Sequence, residues 1–208
     1  MYIAIEGPDG VGKTTQARML ANLIEKSGRK AVLVREPGGT PLGDAIRSII
    51  MSDLKIDPKA ELMLFSAARR ALINEVVRPA LIDGAVVISD RCFLSSLAYQ
   101  CMAGGVPFSV GEDITRLTVD GCYPNAIVVL AATMATLGAR RWSRMCRSGM
   151  SKTSKFEEDS ALSKAIDFYC GLAAAECICV DTNEKTIEDV NRSICVALTS
   201  RFPPLRLA

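Results

Sequence analysis

Residues 7–14 read Gly-Pro-Asp-Gly-Val-Gly-Lys-Thr and match the pattern G-x-x-x-x-G-K-[ST]. The run before it, YIAIE (Tyr2 to Glu6), is apolar enough for a strand buried on both faces. The run after it, KTTQARMLANLIEKSG, has a helical pattern, with Gly28 placed to end it. A strand that feeds a helix through so glycine-rich a turn leaves few folds open. Backbone N–H groups in such a turn curl around an anion, and the helix N-terminus adds positive potential. The stretch Gly7, Pro8, Asp9, Gly10, Val11, Gly12, Lys13, Thr14 and Thr15 is therefore expected to cradle a nucleotide triphosphate. Lys13 would reach the outer phosphates, and the Thr14 hydroxyl would be a Mg²⁺ ligand.

Beyond the loop, apolar runs alternate with helical patterns, which predicts an α/β fold with a largely parallel sheet covered on both faces. Further strands are expected at AVLVRE (31–36), AVVISD (85–90), NAIVVLA (125–131) and CICVD (177–181). Helices are expected at LGDAIRSIIM, along the whole of ELMLFSAARRALINEVVRPALIDG, at RCFLSSLAYQCM, and from about 136 to 147. Two more end near Ala175 and Ser200. The polar, weakly patterned stretch from Arg147 to Ser160 is the expected mobile segment.

Composition narrows the chemistry. The 208 residues suit one α/β domain, and a net charge of +2 gives no reason to expect nucleic-acid or membrane-surface binding. The chain has no histidine, so His bases, Ser–His pairs and His-ligated metals are excluded. Its eight cysteines form no CxxC pair, and a first strand placed from the second residue leads us to expect no signal peptide. Buried free thiols in a cytoplasmic protein are the expectation. No apolar run is long enough to span a membrane.

A second ligand group emerges downstream. Leu62, Phe65, Arg69, Ile73 and Val76 fall on one helical stripe. An arginine within an apolar stripe is costly unless it meets an acceptor or anion. Phe65 lies one turn before it, and a flat ring beside a forked donor suits a stacked, hydrogen-bonded base; equally, Phe65 can be core and Arg69 can reach the rim. Ser96 and Gln100 are again four apart. Asp90 ends a strand at the sheet's carboxyl edge, where it can hold a metal-bound water, and Arg91 beside it can clamp a phosphate. Arg140, Arg144 and Arg147 share a helix face, followed by Lys152 and Lys155. They read either as a solvated basic face or as a lid closing over a transferring phosphoryl group.

Together EGPDGVGKTT, REPGGTPLGDAIR, LFSAARR, DRCFLSSLAYQ, YPNAIVVL and the arginine-rich stretch resemble the thymidylate kinase (dTMP kinase) family over most of the chain. Gly10, where some members carry a catalytic arginine, places the resemblance with the bacterial type. The resemblance implies a P-loop kinase fold: one domain over residues 1–208, a five-stranded mostly parallel sheet flanked by helices, and a lid at about 140–160. It implies a homodimer with dTMP and ATP as substrates and Mg²⁺ as cofactor. By position it assigns Lys13, Thr14 and the loop amides to ATP and metal, with Asp9 and Asp90 near the metal. Glu36, Arg47, Arg91 and Tyr99 fall to the acceptor's sugar and phosphate. Phe65 would stack on thymine, with Arg69, Ser96 and Gln100 on its edge. Asp9, Lys13, Arg91, Arg144, Arg147 and Lys155 are the implied catalytic group. The sequence departs from the family pattern at Cys92, where Tyr is usual, and at Ala131, where Asp is usual. In the lid, Ser154-Lys155-Phe156-Glu157 stands in place of Asp-Arg-x-Glu.

The implied reaction, ATP + dTMP to ADP + dTDP, uses an acceptor already ionised near neutral pH, so it needs no strong base. The rivals are another small-molecule kinase of the same fold, and a nucleotide-dependent switch protein. A nucleoside kinase would carry a carboxylate base beside the sugar hydroxyl. A switch would need no base pocket.

Overall fold

The strand order β2–β3–β1–β4–β5 organises the computed structural model, which describes residues 1–148, 159–172 and 177–205. The strands are β1 (Tyr2–Glu6), β2 (Ala31–Arg35), β3 (Val86–Asp90), β4 (Ala126–Ala131) and β5 (Ile178–Asp181). All four pairings are parallel, where a mostly parallel sheet was expected. Every residue of β1 and β3 is buried, which is why their sequences run apolar without alternation.

Register places the site. Ile5 pairs with Asp90, and Asp90 pairs with Arg35, so the ends of β1, β3 and β2 form one carboxyl edge. The loop after β1, the Asp90–Arg91 pair and the Arg35–Glu36 pair all leave the sheet there.

Helix α1 (Lys13–Lys26) packs on one face with α9 (Ile187–Arg201), burying Leu20, Ile24, Ile194 and Leu198 against β1 and β4. Fully burying each such side chain contributes about 1.5–3 kcal/mol. The other face carries α3 (Pro58–Leu72), whose Leu62 packs with Ala4 and Val129, and α2 (Pro41–Ile50) packs on α3 through Ile46, Ile50 and Ala68. Both start with a proline after a capping side chain: Thr40 Oγ1 accepts the Gly43 N–H at 3.0 Å, and Asp57 Oδ1 accepts the Lys59 N–H at 3.0 Å.

The long helix expected to Gly84 forms, but not as one α-helix. A π-helical turn over Ile73–Val77 separates α3 from α4 (Arg78–Ile82). Pro79 is the physical reason: its ring crowds the carbonyl four residues back, and a wider turn relieves the crowding. The helix after Arg91 is likewise split, into α5 (Phe93–Ser96) and a π-helical turn over Leu97–Ala103.

Between Met102 and Asn125, where the sequence patterns mark no element, α6 (Phe108–Val119) forms. At Gly111 a Cβ would lie 2.4 Å from Cys101 Sγ. The glycine lets α6 approach the neighbouring turn. The lid stretch begins as α7 (Met134–Ser148), and α8 (Asp159–Leu172) follows it. Residues 149–158, including Lys152, Lys155 and the Ser154–Glu157 stretch, lie outside the described residues, as does most of the expected mobile segment.

The cysteine expectation needs correcting. Cys92, Cys101 and Cys195 are buried free thiols, but Cys146, Cys170 and Cys179 are exposed and Cys122 and Cys177 half-buried. Cys179 lies on β5 at the sheet edge, where one neighbour is missing. Among the described residues no helix is long and apolar enough to cross a membrane.

Candidate active site

A cavity of about 550 Å³ opens at the carboxyl edge of the sheet. One wall is the loop after β1, represented by Asp9, Gly10, Gly12, Lys13, Thr14 and Thr15. Gly7 sits at φ +134°, and a Cβ there would lie 2.4 Å from the Leu130 carbonyl oxygen. The loop closes against β4 only because that position is glycine. Lys13 Nζ donates to the Pro8 carbonyl at 2.8 Å and lies 3.6 Å from Asp9 Oδ1. Burial first, then Arg91, pull the Lys13 pKa down to about 8.

Asp9 and Arg91 join the loop to the end of β3. Arg91 Nη2 donates to Asp9 Oδ1, Arg91 Nη1 donates to Ser95 Oγ at 2.7 Å, and the guanidinium lies 5.7 Å from the Tyr99 ring centroid. The Asp9 N–H donates to the Tyr99 hydroxyl at 3.1 Å. Burial is the largest influence on Asp9 and opposes ionisation, but Arg91 and Lys13 together outweigh it and hold the carboxyl below its usual range. Arg91 has φ 81°, a left-handed conformation uncommon for a non-glycine residue and held here by its side-chain partners.

Beneath them lies Glu6, fully buried at the end of β1. Its Oε1 accepts the N–H groups of Cys92 (2.7 Å) and Ser95 (3.0 Å). Its Oε2 accepts the hydroxyls of Ser95 and Tyr169, each at 2.8 Å. With the Gly7 N–H, which donates to Oε2 at 3.3 Å, the carboxylate has five donors, which is how a buried charge is tolerated. The network ties α8, through Tyr169, to the segment that carries Arg91.

The same cavity carries further cations and a set of aromatic and polar side chains. Arg35, Arg47 and Arg144 line the cavity with Arg91. Arg47 Nη1 donates to the Pro37 carbonyl at 3.1 Å. Burial, then the nearby Arg35, lower the Arg47 pKa. Phe65, Ser96 and Gln100 line the cavity as well. Arg69 is 2% exposed: its Nε donates to Glu36 Oε2 at 2.7 Å and its Nη2 to Ser96 Oγ at 2.8 Å. Nη1 is buried with no partner among the described residues. Burial raises the Glu36 pKa, and Arg69 only partly offsets it.

Thr14 Oγ1 donates to Asp90 Oδ2 across the cavity floor. Two oxygen groups from different elements, beside an anion cradle, fit Mg²⁺, which takes few protein ligands and completes its shell with phosphates and water.

A family model described as thymidylate kinase matches residues 5–194. The chain belongs to the thymidylate kinase family. A thymidylate kinase from Trichlorobacter lovleyi is 36% identical over 180 residues, covering 85% of each chain. One from Neorickettsia sennetsu is 35% identical over 204 residues, covering 96% of this chain and 98% of its own. The crystal structure of thymidylate kinase from Ehrlichia chaffeensis superposes with a TM-score of 0.76 at 26% identity, covering 95% of this chain and 98% of that one.

Most residues that resemblance to thymidylate kinases singles out converge on this cavity. Gly7, Pro8 and Val11 complete the loop, and Arg69 contacts two lining residues from behind. Arg147 is exposed at the end of α7 and does not line the cavity. Arg140, expected on the lid face, is bound elsewhere: Nη1 donates to the Val11 carbonyl (3.2 Å) and Thr182 Oγ1 (3.0 Å), and Nη2 to the Thr182 carbonyl (2.6 Å). It fastens α7 to the phosphate loop. Sequence reasoning passed over Glu6, Arg35 and Tyr169. Arg35 had a signal, as a cation directly before Glu36 at a strand end. Glu6 had none, since it reads as the last residue of a buried strand.

Proposed function

We propose that this chain transfers the γ-phosphoryl group of ATP to dTMP, giving ADP and dTDP in the supply of dTTP. One observation carries the reading: a phosphate loop with Lys13 shares one cavity with four arginines, Phe65, Ser96 and Gln100. Loop amides and Lys13 would hold the ATP phosphates. Arg35, Arg47 and Arg91 would hold the acceptor phosphate, with Asp9 keeping Arg91 in place. Phe65 would stack on thymine, and Arg69, Ser96 and Gln100 would bond its edge. Glu36 and Tyr99 would border the sugar.

An oxygen of the dTMP phosphate attacks the γ-phosphorus while the bond to the β-phosphate oxygen breaks, so ADP leaves with that electron pair. The acceptor is ionised, so these residues act by positioning and charge neutralisation rather than proton abstraction. Thr14, Asp90 and Asp9 are the residues that would hold Mg²⁺, which would supply positive charge against the phosphates. Arg144, with Arg147 and Lys155 as further lid cations, would stabilise the transferring group.

Against a nucleoside kinase, the Glu36 carboxylate is engaged by Arg69 rather than poised as a base. The proposal extends to one catalytic domain over residues 1–208 with a lid at about 140–160, acting in the cytoplasm as a homodimer. Exposed Ile49, Met63 and Leu117 on the adjoining helices α2, α3 and α6 support a helical interface. Coupled ADP release with a panel of acceptors tests the function. dTMP should stimulate turnover far beyond thymidine, dAMP or dGMP; equal stimulation by thymidine would refute it.

A further inference from the structure

We infer that Glu61 is a positioning residue for base selection: its carboxylate fixes the Gln100 side-chain amide so that the amide oxygen is offered to a pyrimidine N3–H. This rests on the dTMP reading above and extends it to a side chain outside the cavity lining.

A glutamine amide has two ends of nearly equal size, one a donor and one an acceptor. Left to rotate, it would accept a base edge of either kind. Gln100 is 1% exposed and Glu61 is 7% exposed, and Gln100 Nε2 donates to Glu61 Oε2 at 2.7 Å. A carboxylate only accepts. Turning the amide over would set two buried acceptors face to face, so the nitrogen stays on Glu61. The oxygen end is then left to the cavity, which Gln100 lines.

Arg69 supplies the other half of the pattern. Its Nε and Nη2 are committed to Glu36 and Ser96, and its buried Nη1 is unpartnered among the described residues. A guanidinium only donates. An acceptor from Gln100 with a donor from Arg69 matches the N3–H and O4 of thymine. Cytosine presents the reverse, an acceptor at N3 and an amino donor at N4, and mismatches both groups. Glu61, Phe65 and Arg69 are four apart along α3 and share one face. One helical stripe thus carries the group that sets the amide, the ring that stacks and the donor that reads the edge.

The test compares kcat/KM for dTMP and dCMP in the whole enzyme. Glu61→Gln keeps size but can donate, so Gln100 can turn over. The dTMP-to-dCMP ratio should fall by about tenfold or more, because a hydrogen-bond mismatch no longer penalises cytosine fully. The loss should fall on KM for dTMP more than on kcat. Glu61→Met, which cannot accept, should act in the same direction and serves if the first variant folds poorly. In a Gln100→Ala background Glu61→Gln should add nothing further. An unchanged ratio in both Glu61 variants, or the same change persisting without Gln100, overturns the proposal. If Gln100→Ala itself leaves the ratio intact while dTMP is still phosphorylated, base reading by Gln100 falls with it. If dTMP is not phosphorylated at all, the functional reading has failed instead.

Discussion

Lys13 Nζ lies 3.6 Å from Asp9 Oδ1, the same carboxylate oxygen that receives a hydrogen bond from Arg91. One half-buried anion thus sits between the cation assigned to ATP and the cation assigned to the acceptor phosphate. The two phosphate subsites are electrostatically joined before any ligand arrives.

That junction gives a pH prediction. Lys13 carries its charge below about 8 and loses it above. ATP phosphates favour the charged form, so binding raises the Lys13 pKa and takes up a proton near that pH. Affinity for ATP should therefore fall as pH rises from 8 to 9. Titration calorimetry in buffers of different ionisation heat should show proton uptake at pH 8, absent in Lys13→Met.

Arg69 and Glu36 form a buried pair, 2% and 5% exposed at the side chain. Replacing Arg69 by Met strands the Glu36 carboxylate, and breaking such a pair costs about 3–5 kcal/mol. The Glu36 pKa, already raised by burial, should rise further. A group with a raised folded pKa binds more protons folded than unfolded, so its penalty grows as pH increases. Urea unfolding should show a larger loss for Arg69→Met at pH 8 than at pH 5.

Arg140 and Arg144 stand one turn apart on α7 but should fail differently. Arg140 makes three hydrogen bonds to Val11 and Thr182. Its alanine variant should lower stability by about 1–3 kcal/mol, as loss of charge-assisted bonds does, and raise KM for ATP. Arg144 is exposed and lines the cavity. Its alanine variant should lower kcat by as much as about 10³-fold, a loss of rate out of proportion to any change in Tm. Steady-state kinetics beside thermal melts separates the two.

At Gly7 a Cβ would meet the Leu130 carbonyl at 2.4 Å, in a backbone conformation that disfavours any side chain. Gly7→Ala should destabilise by more than about 1 kcal/mol and weaken ATP binding. Gly28, at φ +82° but with no atom within 4 Å of its Cβ position, should tolerate alanine better. Melting temperatures and ATP affinity for both variants check the contrast.

Legibility in the sequence followed the range of each interaction. The strand–loop–helix around Lys13 and the stripe bearing Phe65 and Arg69 depend on local spacing, which a sequence displays. Contacts between distant segments were hidden. Glu6 gathers donors from residues 92, 95 and 169, and no spacing rule links them. Arg140 looked like a lid cation because helical periodicity says which residues share a face, not what that face meets. Helix α6 was missed because its buried positions, Gly111, Thr115, Thr118 and Val119, make too weak an apolar stripe to display a helical face. Cys179 was misread because burial depends on whether a strand is central or at an edge, and Cys146 and Cys170 because a helical pattern does not say which face meets solvent.

The central claim is that two anion subsites in one cavity pass a phosphoryl group from ATP to dTMP. The direct measurement is ADP and dTDP formation with and without dTMP, for the parent chain and for Arg47→Ala and Arg91→Ala. The account predicts turnover that depends on dTMP, yields dTDP mole for mole with ADP, and drops sharply in both variants. ATP hydrolysis indifferent to dTMP, or dTDP formation unaltered by loss of either arginine, would contradict it.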